Sequence, residues 1–215
     1  MNITNLEFYL LIINILAFII AAINSKIPSK KPDGRRYIIV AIASIAGGSI
    51  GALISLLIFD RKAEKGNMLS RVIISCLVVI QTIIYLIFKG FISNKITFAF
   101  WSILVKYPIS FIYLALINII TFLVYLKDKK AAEKGKDRVK IVTLLFLSFI
   151  GGSLGALLGM YGLRHKTNKS YFTIGIPLMI IMQIFTLFYL SNIWVEHLMW
   201  GSDTPSNLAQ ANIND

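Results

Sequence analysis

Apolar positions along this chain neither alternate at the two-residue period of a strand nor gather on one helical face. They fill whole stretches, separated by short polar segments. Six stretches stand out, roughly 6 to 24, 37 to 59, 69 to 88, 101 to 126, 141 to 163 and 171 to 194. Each approaches or exceeds the ~20 residues that an α-helix needs to cross a hydrocarbon layer ~30 Å thick. The pattern predicts an all-α integral membrane protein with no space left for a soluble domain. The first stretch has no Lys or Arg before it, carries Glu7, and ends on Ile23-Asn24-Ser25, a poor cleavage site; it is expected to be a retained helix rather than a signal peptide. Residues 195 to 215 are polar, with Pro205, and are expected to form a disordered tail.

The polar and small residues that interrupt the pattern recur. Gly47-Gly48-Ser49-Ile50-Gly51-Ala52-Leu53 returns as Gly151-Gly152-Ser153-Leu154-Gly155-Ala156-Leu157, an offset of 104 residues. The same offset places Asn14 on Asn118, Lys26 on Lys130, Lys30 on Lys134, Asp33 on Asp137 and Lys62 on Lys166. Between 47–66 and its counterpart, 8 of 20 positions are identical, more than a shared apolar bias produces. The chain therefore reads as two tandem repeats of three apolar helical segments, a first repeat over 1–89 and a second over 107–194, with a connecting loop and the start of the fourth segment over 90–106. Gly47, Gly48, Gly51 and Ser55, and likewise Gly151, Gly152, Gly155 and Gly159, place small residues four apart, which is the spacing of close helix packing.

Composition sharpens the compartment. The chain is 57% hydrophobic and 15% charged, against about 45–50% and about 25% in soluble domains. Its 22 Lys and Arg against 10 Asp and Glu give a formal charge of +12. The basic residues lie in short loops between apolar runs, which is membrane topology rather than nucleic-acid binding. Cys76 is the one cysteine, so an internal disulfide, a CxxC pair and a cysteine metal cluster are all excluded, and its place in an apolar run predicts packing. Neither metal nor cofactor is expected.

Loop charges test the topology. If all six segments cross, the two sides carry 11 Lys and Arg each, and the positive-inside rule has nothing to act on. If the two Gly-rich middle segments enter and return on one side, the split becomes 19 against the 3 of Lys89, Lys95 and Lys106, which the rule favours. Trp101, Trp194 and Trp200 would then form an aromatic belt opposite the basic side. Against this, an unbroken small-residue stripe suits an unbroken helix, and three crossings per repeat would give the inverted repeats of many transporters. Both arrangements stand at this point.

The second repeat carries a resemblance. Tyr125-x-x-Asp128-Lys129-x-x-Ala132, Arg138, the block from Gly151 to Met160, and Arg164-His165-Lys166-Thr167-x-Lys169, followed by Phe172, Pro177 and Gln183, resemble the bacterial membrane family known as domain of unknown function 1294. This covers about 107 to 190. After Arg138 the family usually shows Pro-Glu, where this chain has Val139-Lys140-Ile141. The first repeat keeps the glycines but has Asp60-Arg61-Lys62-Ala63 in place of the Arg-His-Lys-Thr run and Asn24-Ser25 in place of Asp128-Lys129, as a diverged copy would. The resemblance implies a membrane fold and no particular activity.

Two groups of residues have chemistry to offer. Arg164, His165, Lys166, Thr167 and Lys169, with Asp128, Lys129 and Arg138 on the loop before, combine planar guanidinium forks, point charges and a hydroxyl, which suits an anionic lipid headgroup or another phosphate. The alternative is that these charges only orient the chain. Within the spans, Asn14, Gln81, Asn118 and Gln183 need hydrogen-bond partners, either across packed helices or along a polar path for a solute. No nucleophile elbow, zinc-protease motif or phosphate-binding loop occurs, and no catalytic residue is assigned. The sequence thus predicts a non-enzymatic protein of the bacterial cytoplasmic membrane that binds an anionic lipid or carries a small solute. The alternatives are an assembly protein that recruits partner helices or a second copy through its glycine faces and, last, a lipid-phosphate enzyme using Asp128 and His165.

Overall fold

A computed structural model describes residues 5–26, 38–63, 66–90 and 108–200, with side chains described through 189. Its regular elements are α1 (Asn5–Lys26), α2 (Ile38–Ala43), α3 (Ser49–Phe59), α4 (Met68–Phe88), α5 (Pro108–Glu133), α6 (Ile141–Leu147), α7 (Ser153–Gly162), α8 (Ser170–Thr173) and α9 (Gly175–Trp200). Five-residue turns, Ser44–Gly48 and Ser148–Gly152, join α2 to α3 and α6 to α7. Among the described residues, six helical stretches are long and apolar enough to cross a membrane.

The distribution of polarity is the reverse of a soluble protein's. On α1, Leu11, Ile15, Ile19 and Ile23 form an i,i+4 stripe that faces outward and is exposed along its length. Inside lie Ser44, Ser49, Thr121, Asp128, Ser148 and Ser153, all buried. Apolar surface of this extent is stable only against hydrocarbon. The protein is an all-α integral membrane protein.

The Gly-rich stretches are not straight helices. Gly47 and Gly151 have φ of +114° and +130°, a region closed to most L-residues and open to glycine. In the second stretch the consequence is visible at one carboxylate. The Val139 N–H, just before α6, donates to Asp128 Oδ1 at 2.9 Å. His165 and Lys166, just after α7, both reach Asp128 Oδ2 at 2.7 Å. An unbroken helix over the 22 residues Ile141–Gly162 would hold those ends ~33 Å apart. Instead α6 and α7 form a V. Its tip at Gly151 lies against Ile117 and Leu114, ~16 Å down α5 from Asp128, about half the depth of a bilayer core.

The first stretch folds back in the same way, with Val40 on α2 sharing a buried cluster with Leu56 on α3 and with Ala17 and Ala21 on α1. The two segments that the sequence reads as repeats have one orientation. An ideal Cβ on Gly175, at the start of α9, would lie 3.0 Å from Val72, near the start of α4, so these third helices run parallel. The inverted arrangement, which needs three crossings per repeat, is replaced by two parallel units, each with two long helices flanking a V.

Two boundaries move from their expected places. Helix α5 continues past 126 to Glu133, so Asp128 and Lys129 are helical rather than in a loop. The helix ends only where Gly135 takes φ of +62° and Lys136 N–H donates to Ala131 O, a glycine-terminated cap. Helix α9 runs to Trp200, so residues 195–200, expected as the start of the tail, are helical. Residues 201–215, the segment 91–107 with Trp101, Lys95 and Lys106, the segment 27–37, and the side chains of Trp194 and Trp200 lie outside what is described.

Candidate functional site

The polar residues within the spans are spent on the tips of the two Vs. Breaking a helix frees carbonyls and N–H groups that hydrocarbon cannot satisfy. Asn14 Nδ2 donates to Gly47 O at 3.1 Å, and its Oδ1 accepts from Gly51 N–H at 2.8 Å. Asn118 does the same with Gly151 O at 3.0 Å and Gly155 N–H at 2.7 Å. Each asparagine thus caps the returning helix from outside it. Gln81 donates from Nε2 to Ser44 O at 2.6 Å and accepts at Oε1 from the Ser49 hydroxyl; Gln183 donates from Nε2 to Ser148 O at 2.7 Å and accepts at Oε1 from the Ser153 hydroxyl. Tyr9 and Tyr113 hydroxyls complete the sets on Ala46 O and Ile150 O. The four amides form two separate braces rather than one polar path.

The glycines serve the same contacts. An ideal Cβ on Gly51 or Gly155 would lie 1.9 or 2.0 Å from the carbonyl oxygen of Asn14 or Asn118, so only glycine lets the asparagine approach. Gly48 sits against Ala17, Gly152 against Thr121 and Gly159 against Tyr125. Ser55, at the position matching Gly159, is buried. These small-residue faces are therefore occupied within the chain, by α1 and α5.

The basic residues gather at the mouth of the second V. Arg164 N–H donates to Tyr161 O and His165 N–H to Met160 O at 2.9 Å, a helix ending that places a left-handed residue where glycine is usual. Here that residue is Arg164, with φ of +48°, and Lys166 follows with φ of +64°. Two left-handed non-glycine residues in one short loop are costly, at about 1–2 kcal/mol each. Lys169 N–H donates to Lys166 O at 3.2 Å, closing a turn with Thr167 and Asn168 at its tip.

Behind this loop lies Asp128, fully buried. Its oxygens are satisfied by Val139 N–H, His165 Nε2 and the Lys166 ammonium. A proline at 139, as the family usually carries nearby, would have no N–H for this bond. Lys166 Nζ also lies 5.2 Å from the Phe172 ring centroid, within cation–π range. Burial draws the Lys166 ammonium below the usual lysine pKa; Asp128 pulls it back up, and Arg138 adds to the lowering.

In front of the loop opens a cavity of about 980 Å³. Its lining includes Arg138, Lys140, Arg164, His165, Lys166 and Lys169, with Thr167 and Asn168 supplying neutral polar groups. No carboxylate is among the described lining residues. Ala63, Gly66 and Met68 of the first repeat form part of the wall, with Ile141, Val142 and Tyr171. Of the residues expected at an anion site, Lys129 alone stands apart, turned to Glu133 at 3.6 Å. Lys140 and Tyr171 escaped the motif because they lie outside it. The first-repeat wall was legible only through a same-side topology.

A family model described as protein of unknown function (DUF1294) matches residues 118–172, from the brace asparagine of the second V to the ring beneath Lys166. An uncharacterized protein of Bacillus subtilis (strain 168), YsdA, is 38% identical over 71 residues, which is 33% of this chain and 80% of that protein. This chain belongs to the DUF1294 family. The relative's length, about 89 residues from those shares, is close to one repeat of the present chain. No solved structure matches it. The DUF1294 match thus includes Asp128, Arg138, Arg164 and Lys166, and the family's name assigns none of them a role.

Proposed function

We propose that this DUF1294 protein is a non-enzymatic protein of the bacterial cytoplasmic membrane. In this reading it is built from two copies of a unit with two crossings and one re-entrant V, and it binds an anionic lipid headgroup at the mouth of the second V. The cavity carries the proposal: cationic side chains converge on one space with no described carboxylate, at the level where apolar helices give way to charged loops. The left-handed Arg164 and Lys166 add support, because local strain of this kind concentrates at functional sites. The braces on Asn14, Gln81, Asn118 and Gln183 favour lipid binding over a solute path, and the occupied glycine faces favour it over partner recruitment. The loops that the same-side topology joins carry 19 of the 22 basic residues in the sequence, which makes the V-mouth side cytoplasmic by the positive-inside rule.

Two measurements test this. In a Cys76→Ser background, cysteines at Ala63 and Asn168 should both react with an impermeant thiol reagent from the cytoplasmic side; reaction from opposite sides would overturn the two-crossing unit. Arg164→Lys keeps the charge and removes the two-pronged donor. Native mass spectrometry should find less co-purified anionic lipid with Arg164→Lys than with Arg61→Lys, the same kind of change one position past the first-repeat counterpart Asp60. Equal retention in both variants and the parent returns Arg164 to a topological charge.

A further inference from the structure

Resting on that reading, we infer that the headgroup ends in a terminal phosphate, unesterified on its outer side, and that the lipid's hydrocarbon leaves the cavity along the outward face of α6. Arg138, Lys140, Arg164, Lys166 and Lys169 line the space, and the buried Asp128 compensates Lys166 from behind. Among the described lining residues, an excess of about four positive charges therefore faces one ligand. A phosphodiester headgroup brings one negative charge. A terminal phosphate brings about 1.5 to 2 at neutral pH and three acceptor oxygens, and such oxygens suit an arginine fork beside lysine point charges. Thr167 and Asn168 at the turn tip add neutral hydrogen-bond donors.

The cavity also has an apolar side, which a free phosphate would leave in contact with nothing it favours. Ile141 and Val142 line it at the start of α6. Val142 is 49% exposed, and Phe146, one turn deeper, is 58% exposed. Because α6 descends from the mouth toward the tip of the V, this pair makes an apolar track from the charged space into the membrane. A lipid with its phosphate in the cavity and one chain on Val142 and Phe146 satisfies both walls.

The full chain in phosphatidylcholine nanodiscs, doped with equal amounts of dioleoyl phosphatidate or dioleoyl phosphatidylglycerol, separates the possibilities by native mass spectrometry. Phosphatidate should be retained about tenfold over phosphatidylglycerol, the scale of one added charge-assisted contact. Arg164→Gln should bring the two lipids close to parity. Lys127→Gln, an equal loss of charge on the outer side of α5, should leave the preference intact. Equal retention by the parent overturns the terminal-phosphate inference while the anionic-lipid reading stands; retention of neither lipid overturns both. Displacement of phosphatidate by an equal concentration of inorganic phosphate or pyrophosphate overturns the lipid source in favour of a soluble ligand. The double change Val142→Ser with Phe146→Ser should lower phosphatidate retention severalfold, and unchanged retention overturns the tail path.

Discussion

The two Vs agree at their tips and part company at their mouths. Each tip has a left-handed glycine, a cross-capping asparagine, a glutamine bridging a serine hydroxyl and a carbonyl, and a tyrosine on the turn. At the mouths the acid changes place. In the second repeat Asp128 sits on the long helix behind the loop and is buried there. In the first repeat the matching residue is Asn24, and the acid is Asp60 on the loop itself, accepting two hydrogen bonds from Asn67 at 2.9 and 3.0 Å and facing Arg71 at 3.8 Å. An acid on the loop engages the loop's own donors. An acid behind the loop anchors one lysine and leaves the remaining cations directed at open space. Backbone geometry demands the tip, whereas the mouth is free to vary, and the placement of one carboxylate separates a self-contained loop from the proposed lipid-binding surface.

The sharpest way to break the claim of equivalent tips is to fill them. Gly51→Leu and Gly155→Leu each push a side chain into a carbonyl oxygen that a Cβ alone would meet at 1.9 or 2.0 Å. Both should destabilise by more than about 3 kcal/mol, beyond ordinary overpacking, and both should abolish a monodisperse peak in detergent size-exclusion chromatography. Gly175→Leu meets only the Val72 side chain at 3.0 Å and should be milder, shifting the melt rather than removing the peak. Gly162→Ala has nothing within 4 Å and should be neutral. If one tip tolerates leucine and the other does not, the tips are not equivalent.

Next in size is the difference between the mouths. Asp128→Asn gives the second repeat the residue found in the first and leaves the Lys166 ammonium largely buried without its carboxylate. Breaking such a pair costs about 3–5 kcal/mol; the lower end applies here, since the Lys166 side chain keeps 14% exposure and an aromatic face. Adding Lys166→Gln should recover much of the loss, read as a melting temperature in detergent. A single variant as stable as the parent would mean that Asp128 has no structural role beyond what Asn24 performs.

How much of this could be read from the sequence follows from the range of each interaction. Helix positions were legible because length and apolarity suffice to place a membrane span. The glycines, asparagines and glutamines of the tips were legible as a recurring set, because each satisfies a local demand of a broken helix. Their purpose was not, since Asn14 joins Gly47 and Gly51 across more than thirty residues. The direction of the V depended on contacts from Asp128 to both Val139 and His165, and no local pattern reports two ends meeting at one side chain. Loop charges carried that information indirectly. The composite wall of the cavity, with Ala63, Gly66 and Met68, needed the packing of α4 on α9, which a Val72 beside Gly175 decides and a composition does not.

The smallest effect is the one that best separates stability from binding. Arg164 occupies the position after α7 where a helix usually ends on glycine, with φ of +48°. A left-handed arginine costs about 1–2 kcal/mol, and glycine removes that cost while adding some freedom to the unfolded chain. Arg164→Gly is therefore expected to raise stability by up to about 1 kcal/mol, a rise of a few degrees in the melt. Its counterpart Asp60 in the first repeat has φ of −126°, so Asp60→Gly relieves no left-handed strain and also removes the acceptor of Asn67 and partner of Arg71, which should lower stability. At the same time Arg164→Gly should lose anionic lipid, because the guanidinium that lines the cavity is gone. A variant both more stable and emptier would show that the arginine is kept for what it holds. If Arg164→Gly melts lower than the parent, the arginine contributes to the fold itself, and the strain at this loop loses its value as a sign of function.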